Sequence, residues 1–302
     1  MNYNVCIQKT EKTYKNTIMK IKTAAKINLG LDVLGLREDG YHEVRMIMQS
    51  LRLHDEIDMS ILLGGSGIKF TTDADFLPTD QSNLAVKAAA LLVEEFSLKG
   101  EIRINLKKNI PVAAGLAGGS TDAAAVLRGL NRLYHLGLST DELMERGVKI
   151  GADVPFCIMG GTALSEGIGE KLTSIPSMPD CAILLAKPSF GVSTKKVYEN
   201  YDALKDVIHP NIDLLINKLE EKNMTDLAQN MGNVLENVTG GIYPEIADIE
   251  NKMRREGAIN AMMSGSGPTV FGIYENKKDA LRAKSVLRRT LTGTRLIVTE
   301  PF

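Results

Sequence analysis

Pro111-Val112-Ala113-Ala114-Gly115-Leu116-Ala117-Gly118-Gly119-Ser120-Thr121-Asp122-Ala123-Ala124-Ala125 joins a glycine-rich loop to an alanine-rich run through two adjacent hydroxyls. That composition suits a phosphate cradle. Gly115, Gly118 and Gly119 can take positive φ and let backbone N–H groups approach an anion with no Cβ in the way. A helix expected to begin near Thr121, capped by Ser120 or Thr121, would aim its positive end and its unpaired donors at the same spot. Either hydroxyl can also reach a phosphate oxygen or a metal ion. The loop lacks the Lys of G-x-x-x-x-G-K-[ST] and does not fit G-x-G-x-x-G. It would therefore hold phosphate through backbone donors rather than charge. The competing reading is a glycine turn before a helix whose alanines merely let it approach a sheet.

The chain has 302 residues, long enough for two domains sharing a cleft. Hydrophobic residues make up 44% and charged residues 24%, an ordinary globular balance. A net charge of -1 supplies no general attraction to nucleic acid or to an anionic membrane, so any phosphate binding has to be local. Cys6, Cys157 and Cys181 are too dispersed for a metal knuckle and read as reduced thiols of a cytoplasmic protein. No apolar run approaches a membrane span, and the first twenty residues have no signal-peptide core.

The strand-like pattern sets in around Met19-Lys-Ile-Lys-Thr-Ala-Ala, so residues 1–20 read as a leader, disordered or upstream of the native start. Ile27, Leu29, Leu31 and Val33 alternate with Lys26, Asn28 and Asp32, the pattern of a half-buried strand on which Lys26 and Asn28 point the same way. Strands are expected within Met46–Met59, a hairpin turn at Gly64-Gly-Ser-Gly67, and a helix over Leu84–Phe96 with Ser82-Asn83 as candidate caps. Ile102–Leu106 leads into the loop. Ser139-Thr-Asp-Glu142 is a capping box. Pro155 pushes Val154 out of helical conformation, which would set Asp153 at a helix-to-strand junction. The second half reads as a strand (182–187), helices (213–222, 227–238, 245–256), strands (259–263, 269–274), a helix (277–289) and a closing strand (295–299). That succession indicates an α+β protein.

In order and spacing the loop resembles the second motif of the GHMP kinases, P-x-x-x-G-L-[AG]-[GS]-[GS]-[SA], which wraps the triphosphate of ATP. Ala25-Lys26-Ile27-Asn28-Leu29, Asp39-Gly40-Tyr41-His42, Gly151-Ala-Asp153-Val-Pro155, Gly191-Val-Ser-Thr194 and Ser264-Gly-Ser-Gly267 extend the resemblance from about Lys22 to the C-terminus. They resemble in particular the branch that phosphorylates a cytidine-diphosphate-linked methylerythritol in the non-mevalonate isoprenoid route. The resemblance implies a two-domain α+β fold: a ribosomal-protein-S5-like, ATP-binding N-terminal domain over 21–160 and a ferredoxin-like C-terminal domain over 161–302. It implies Lys26 and Asp153 as the catalytic pair. Tyr41, His42 and Tyr198 would hold the cytosine, with Asn28 and Thr194 fixing the substrate. ATP would meet Asn83, Lys107 or Lys108, and the loop from Pro111 to Thr121. Mg²⁺ is expected with ATP, and Ser120 or Thr121 is the best candidate ligand.

The chemistry is consistent with these residue types. Phosphoryl transfer to a tertiary hydroxyl needs that hydroxyl in line, a proton acceptor such as Asp153, and positive charge such as Lys26 beside the group transferred. A flat nitrogenous base needs an aromatic face and a donor or acceptor at its edge, which Tyr41, Tyr198 and His42 can supply. A homoserine or mevalonate-type kinase would share the loop but have no use for a base site. A catalytically silent RNA-binding relative would carry a basic stripe, against which the net charge counts.

Overall fold

The computed structural model describes residues 18–204 and 206–302. Of the expected leader, residues 1–17 lie outside the described residues, while Met19 and Lys20 already stand in strand β1 (Met19–Leu36). The chain forms two compact units. The first holds the described residues up to Thr23, His54–Asn109 and Gly119–Ile158. The second holds Ala24–Leu53, Ile110–Gly118 and Met159–Phe302. β1 and the long β2 (His42–Leu62) each contribute residues to both.

In the first unit, β2 runs antiparallel to β4 (Gly100–Lys107) from Glu56 to Leu62, and β4 runs parallel to β3 (Ser66–Thr72). The hairpin expected at Gly64–Gly67 is therefore absent: a turn forms, but β4 lies between the strands it joins. Parallel neighbours need a crossover, and helix α1 (Leu84–Phe96) supplies it between β3 and β4. Helix α2 (Gly118–Leu133) buries Ala123 to Leu127. A Cβ on Gly129 would lie 2.6 Å from Met59 Sδ and 2.8 Å from Ile21 Cδ1, so small residues do let this helix lie close on the strands. Helix α3 (Thr140–Val148) opens with the expected capping box, both reciprocal bonds being present.

The junction at Asp153 differs from expectation. Val154–Met159 is a short helix, α4, rather than a strand. Proline suits the first turn of a helix, where its fixed φ is right and its missing N–H would have had no partner. Pro155 thus opens an element instead of closing one.

In the second unit, β2 pairs antiparallel with β5 (Thr162–Glu166), which pairs with β6 (Lys171–Ser174). A separate antiparallel sheet has the order β11-β7-β10-β9, made of Arg295–Thr299, Ala182–Lys187, Val270–Tyr274 and Asn260–Met263. Side chains alternate along β7. Ala182, Leu184 and Ala186 join one core with Ile246, Ile249 and Met253, and with Ala280, Ala283 and Leu287. Ile183 and Leu185 join the other core, with Ile27 and Leu29 of β1. The two helices against the first face are α9 (Glu245–Arg255) and α10 (Lys277–Leu287), an α+β layer arrangement.

The remaining helices of this unit are α5 (Thr194–Tyr201), α6 (Ile212–Glu220), α7 (Met224–Asn230) and α8 (Glu236–Ile242). The single helix expected over 227–238 is broken, because Gly232–Asn233 forms a bridge-like strand, β8, parallel to Gly30 and Leu31 of β1. α5 escapes sequence reading: only Val197 of its eight residues is buried, so it carries no apolar stripe.

Candidate active site

The loop from Pro111 to Gly118 lies in the second unit. Ala114 and Leu116 are buried and anchor it, while Val112 and Ala113 are exposed. Gly115 has φ +72, and a Cβ there would lie 2.1 Å from Ser264 O. The other positive-φ residues of the loop are Ala113 and Ala117, not Gly118 and Gly119. Those two glycines form the first turn of α2, where they keep the helix donors uncovered. Ser120 and Thr121 accordingly sit inside the helix rather than capping it; Ser120 is half-buried and Thr121 buried.

Lys26 and Asn28 do share one face of β1, but that face is buried, at 5% and 0% exposure. Lys26 Nζ donates to Asn28 Oδ1 at 2.7 Å, and Lys26 N donates to Leu116 O in the loop at 3.2 Å. The turn Ser264–Gly267 covers the pair. Gly265 has φ +59, and a Cβ on it would lie 3.4 Å from Asn28 Oδ1 and 3.6 Å from Lys26 Nζ. Asn233 Nδ2 holds this turn by donating to Met263 O and Gly265 O, and Thr239 Oγ1 by donating to Ser266 O. Ser264 Oγ donates to Gly115 O at 3.0 Å, and Thr194 Oγ1 lies 2.8 Å from Ser266 Oγ. The second unit thus gathers Lys26, Asn28, Thr194, the loop and the Ser264–Gly267 turn.

His42 Nε2 lies 2.7 Å from Asp202 Oδ1, and the His42 and Tyr198 rings approach to 4.9 Å between centroids. Tyr41 is 60% exposed, its N–H donating to Asp39 Oδ1, so the imidazole rather than Tyr41 stands at ring contact with Tyr198. Asp202 was not anticipated. Its spacing of four from Tyr198 is the available signal, and it is informative only once α5 is known to be helical.

The first unit holds Asn83, Lys107, Lys108 and Asp153. Asn83 caps α1: its Oδ1 accepts from Ala85 N, and its Nδ2 donates to Pro78 O. Lys107 is exposed beside Glu56, whereas Lys108 is half-buried with its side chain only 6% exposed, and its ammonium is bonded to Asp55 and, at 3.0 Å, to Asp122. Asp153 is half-buried at the start of α4, its carbonyl accepting from Cys157 N. Arg128 braces the other end of α4 through Cys157 O and Ile158 O.

One lysine between two buried carboxylates leaves a charge poorly compensated. Burial, with the Asp55 charge adding to it, pushes the Asp122 carboxyl up to about 7, against the opposing pull of Lys108 and Thr23. Asp55 and Asp122 in turn hold the Lys108 ammonium above its ordinary value despite burial. A carboxyl raised in the fold keeps a proton that the unfolded chain has released. Stability therefore falls as pH rises from about 4 to about 7, by at most about 1.4 kcal/mol per pH unit from this group. Asp122→Asn should remove that component: thermal unfolding at pH 5 and pH 8 should differ less in the variant than in the unmodified protein. An unchanged difference would show that Asp122 is ionised across the whole range.

The family model for the GHMP kinases N terminal domain matches residues 83–161, and that for GHMP kinases C terminal matches residues 197–293. A protein of Lachnospira eligens named 4-diphosphocytidyl-2-C-methyl-D-erythritol kinase is 50% identical over 284 residues, 94% of this chain and 98% of that protein. A protein of the same name from Acetivibrio thermocellus is 53% identical, over 90% of this chain and 95% of its own length. Among solved structures, a 4-(cytidine 5'-diphospho)-2C-methyl-D-erythritol kinase superposes with a TM-score of 0.79 at 32% identity, covering 94% of this chain and 99% of that one. The mevalonate kinase of L. major, solved with R-mevalonate, superposes at 0.78 with 17% identity, covering 96% and 97%, a likeness of fold alone. Among the described residues no helix is long and apolar enough to cross a membrane.

Proposed function

The chain belongs to the GHMP kinase family, and we propose that it transfers the γ-phosphoryl group of ATP to the 2-hydroxyl of 4-diphosphocytidyl-2-C-methyl-D-erythritol. Membership implies ATP as co-substrate. The observation that carries the choice of acceptor is the ring pair of His42 and Tyr198, in the same unit as Lys26 and the loop. A homoserine or mevalonate acceptor has no ring for such a pair to meet.

In this reading the loop from Pro111 to Thr121 cradles the triphosphate through backbone N–H groups. Asp153 takes the proton of the acceptor hydroxyl as its oxygen attacks the γ-phosphorus and the bond to the β-phosphate oxygen breaks, releasing ADP. Lys26, oriented by Asn28, places positive charge beside the transferred group. Thr194, fixed by Ser266, lies beside the same turn and orients substrate. Asn83 and Lys108 serve the nucleotide only by exchanging the partners that now occupy them, the cap of α1 and the two carboxylates.

Mg²⁺ would neutralise charge on the phosphate oxygens. Among the described residues no cluster of three or more His, Cys, Asp or Glu could cage it, so the donors fit an ion that arrives on the phosphates and keeps most of its waters. Ser120, the less buried of the two hydroxyls, is the better ligand, with Thr121 the alternative. The sequence domains 21–160 and 161–302 and work in the cytoplasm on soluble small molecules, without nucleic acid or membrane, complete the proposal.

An assay of ADP release with three acceptors tests it. The cytidylylated substrate should be turned over orders of magnitude faster than mevalonate or homoserine; comparable rates would overturn the choice of acceptor. Tyr41→Ala removes an exposed ring and should leave the fold intact. A stacking face is worth roughly 1–3 kcal/mol, so KM for the cytidylylated substrate should rise about tenfold or more while KM for ATP stays. An equal loss with a substrate lacking the cytidine group would mean that Tyr41 supports the fold rather than the base.

A further inference from the structure

We infer that Asp202 is the positioning residue that makes the base site selective for cytosine, by holding His42 in the tautomer with its proton on Nε2. The inference rests on the function proposed above and adds to it a residue and a rule of specificity.

An ionised carboxylate only accepts hydrogen bonds, so at 2.7 Å from Asp202 Oδ1 it is Nε2 that carries the N–H. In the neutral ring Nδ1 is then an acceptor. The His42 side chain is only 10% exposed, which restricts its swing, whereas the Asp202 carboxylate is 43% exposed and reaches the ring from outside. Tyr198 and Asp202 are four residues apart, and Asp202 N donates to Tyr198 O at 3.4 Å. One helical turn therefore supplies both the aromatic neighbour of the imidazole and the carboxylate that orients it. α5 is itself tied down at both ends: Thr194 meets Ser266, and Tyr201 donates its hydroxyl to Val33 O at 3.3 Å. The ring held in this way is aimed rather than adaptable.

Cytosine and uracil differ in the group at C4, an amino donor in the first and a carbonyl acceptor in the second. A lone pair on Nδ1 meets the donor and repels the carbonyl. Leaving a polar atom of a base site unpaired is a strong means of rejecting a near-isosteric ligand. Asp202→Asn keeps the shape and removes the demand for a donor. The amide can instead donate to Nε2, which moves the ring proton to Nδ1 and reverses the preference.

The test uses the full-length protein labelled with ¹⁵N in histidine, with cytidine 5'-diphosphate and uridine 5'-diphosphate as probes. The ¹⁵N spectrum should show His42 as the neutral Nε2–H tautomer, with the cytidine nucleotide bound at least about tenfold more tightly than the uridine nucleotide. In Asp202→Asn the signature should move toward Nδ1–H and the preference shrink or invert, while KM for ATP stays as it was. Asp202→Glu should restore both. An imidazolium or an Nδ1–H ring in the unmodified protein, or an unchanged preference in Asp202→Asn, would overturn the inference. Failure to bind either nucleotide would instead sink the proposed substrate and this inference with it. Preferential cytidine binding that ignores Asp202 would sink the inference alone.

Discussion

Replacing Asp153 by asparagine is expected to lower kcat by about 10²–10⁴-fold while leaving the dissociation constant for ATP nearly unchanged. That range corresponds to about 3–5.5 kcal/mol of transition-state stabilisation, the usual worth of a positioned base. Asparagine has nearly the shape of aspartate. The start of α4 should survive, since it depends on the Asp153 carbonyl, which accepts from Cys157 N, and on Pro155. Arg128 continues to hold the carbonyls at the other end of the helix. What disappears is the ability to take a proton. Steady-state ADP release gives kcat, and isothermal titration gives the ATP affinity. A variant keeping most of its turnover would remove Asp153 from the mechanism. Lys26→Met preserves much of the buried stem of Lys26 and deletes the ammonium that Asn28 holds. If both residues act in one step, the double variant should be far less impaired than the product of the single losses. Multiplicative losses would assign them to separate steps.

Gly115→Ala is expected to cut ATP affinity more than tenfold and to lower the unfolding temperature. Two independent effects act at this position. The backbone is in the left-handed region, where a Cβ costs about 1–2 kcal/mol. The added carbon would also overlap Ser264 O at 2.1 Å, and that atom is backbone with no rotamer to escape into. The overlap is relieved only by parting the loop from the Ser264–Gly267 turn, which breaks the bond from Ser264 Oγ to Gly115 O and uncovers Lys26 and Asn28. Gly119→Ala makes the contrast: its Cβ would meet Leu84 Cδ1 at 3.5 Å, an ordinary contact, so the unfolding temperature should stay as it was. If Gly115→Ala binds ATP normally, the packing of the two turns is not what shapes the cradle.

Elements closed by short-range bonds were legible from residue order. Ser139 and Glu142 form their capping box, Asn83 caps α1, and the closing strand occupies Arg295–Thr299. The alternation along β1 correctly set Lys26 beside Asn28. The two caps and the Lys26–Asn28 pair depend on groups within a few residues of one another, so the pattern contains its own partner. The closing strand was legible as a strand, while its partner, Ala182–Lys187, lies far away in the chain. The glycine-rich loop was legible in the same way, as a run of small residues before a helix. Its conformation was less so: Gly115 has the expected positive φ, but the other positive-φ positions are Ala113 and Ala117 rather than Gly118 and Gly119, with Ala114 and Leu116 packed into the core between them.

Pairings across the chain were decided elsewhere. Alternation of apolar and polar residues reads alike whether the polar face meets water or protein, so the burial of Lys26 and Asn28 became visible only with the turn at Gly265 above them. The turn at Gly64–Gly67 does not say which strand lies beside β3, since β4 arrives after a helix and takes the place between. A proline marks a helix boundary without its direction, and at Pro155 the neighbours chose a start. Lys108 reads as a solvated end of a strand until Asp55 and Asp122 are brought to it. His42 and Asp202 are separated by 160 residues. Residue order determined the local conformations and the chemical types present. Only the tertiary structure determined which side chains lost water and met one another, because burial and long-range pairing depend on surfaces that the local sequence does not contain.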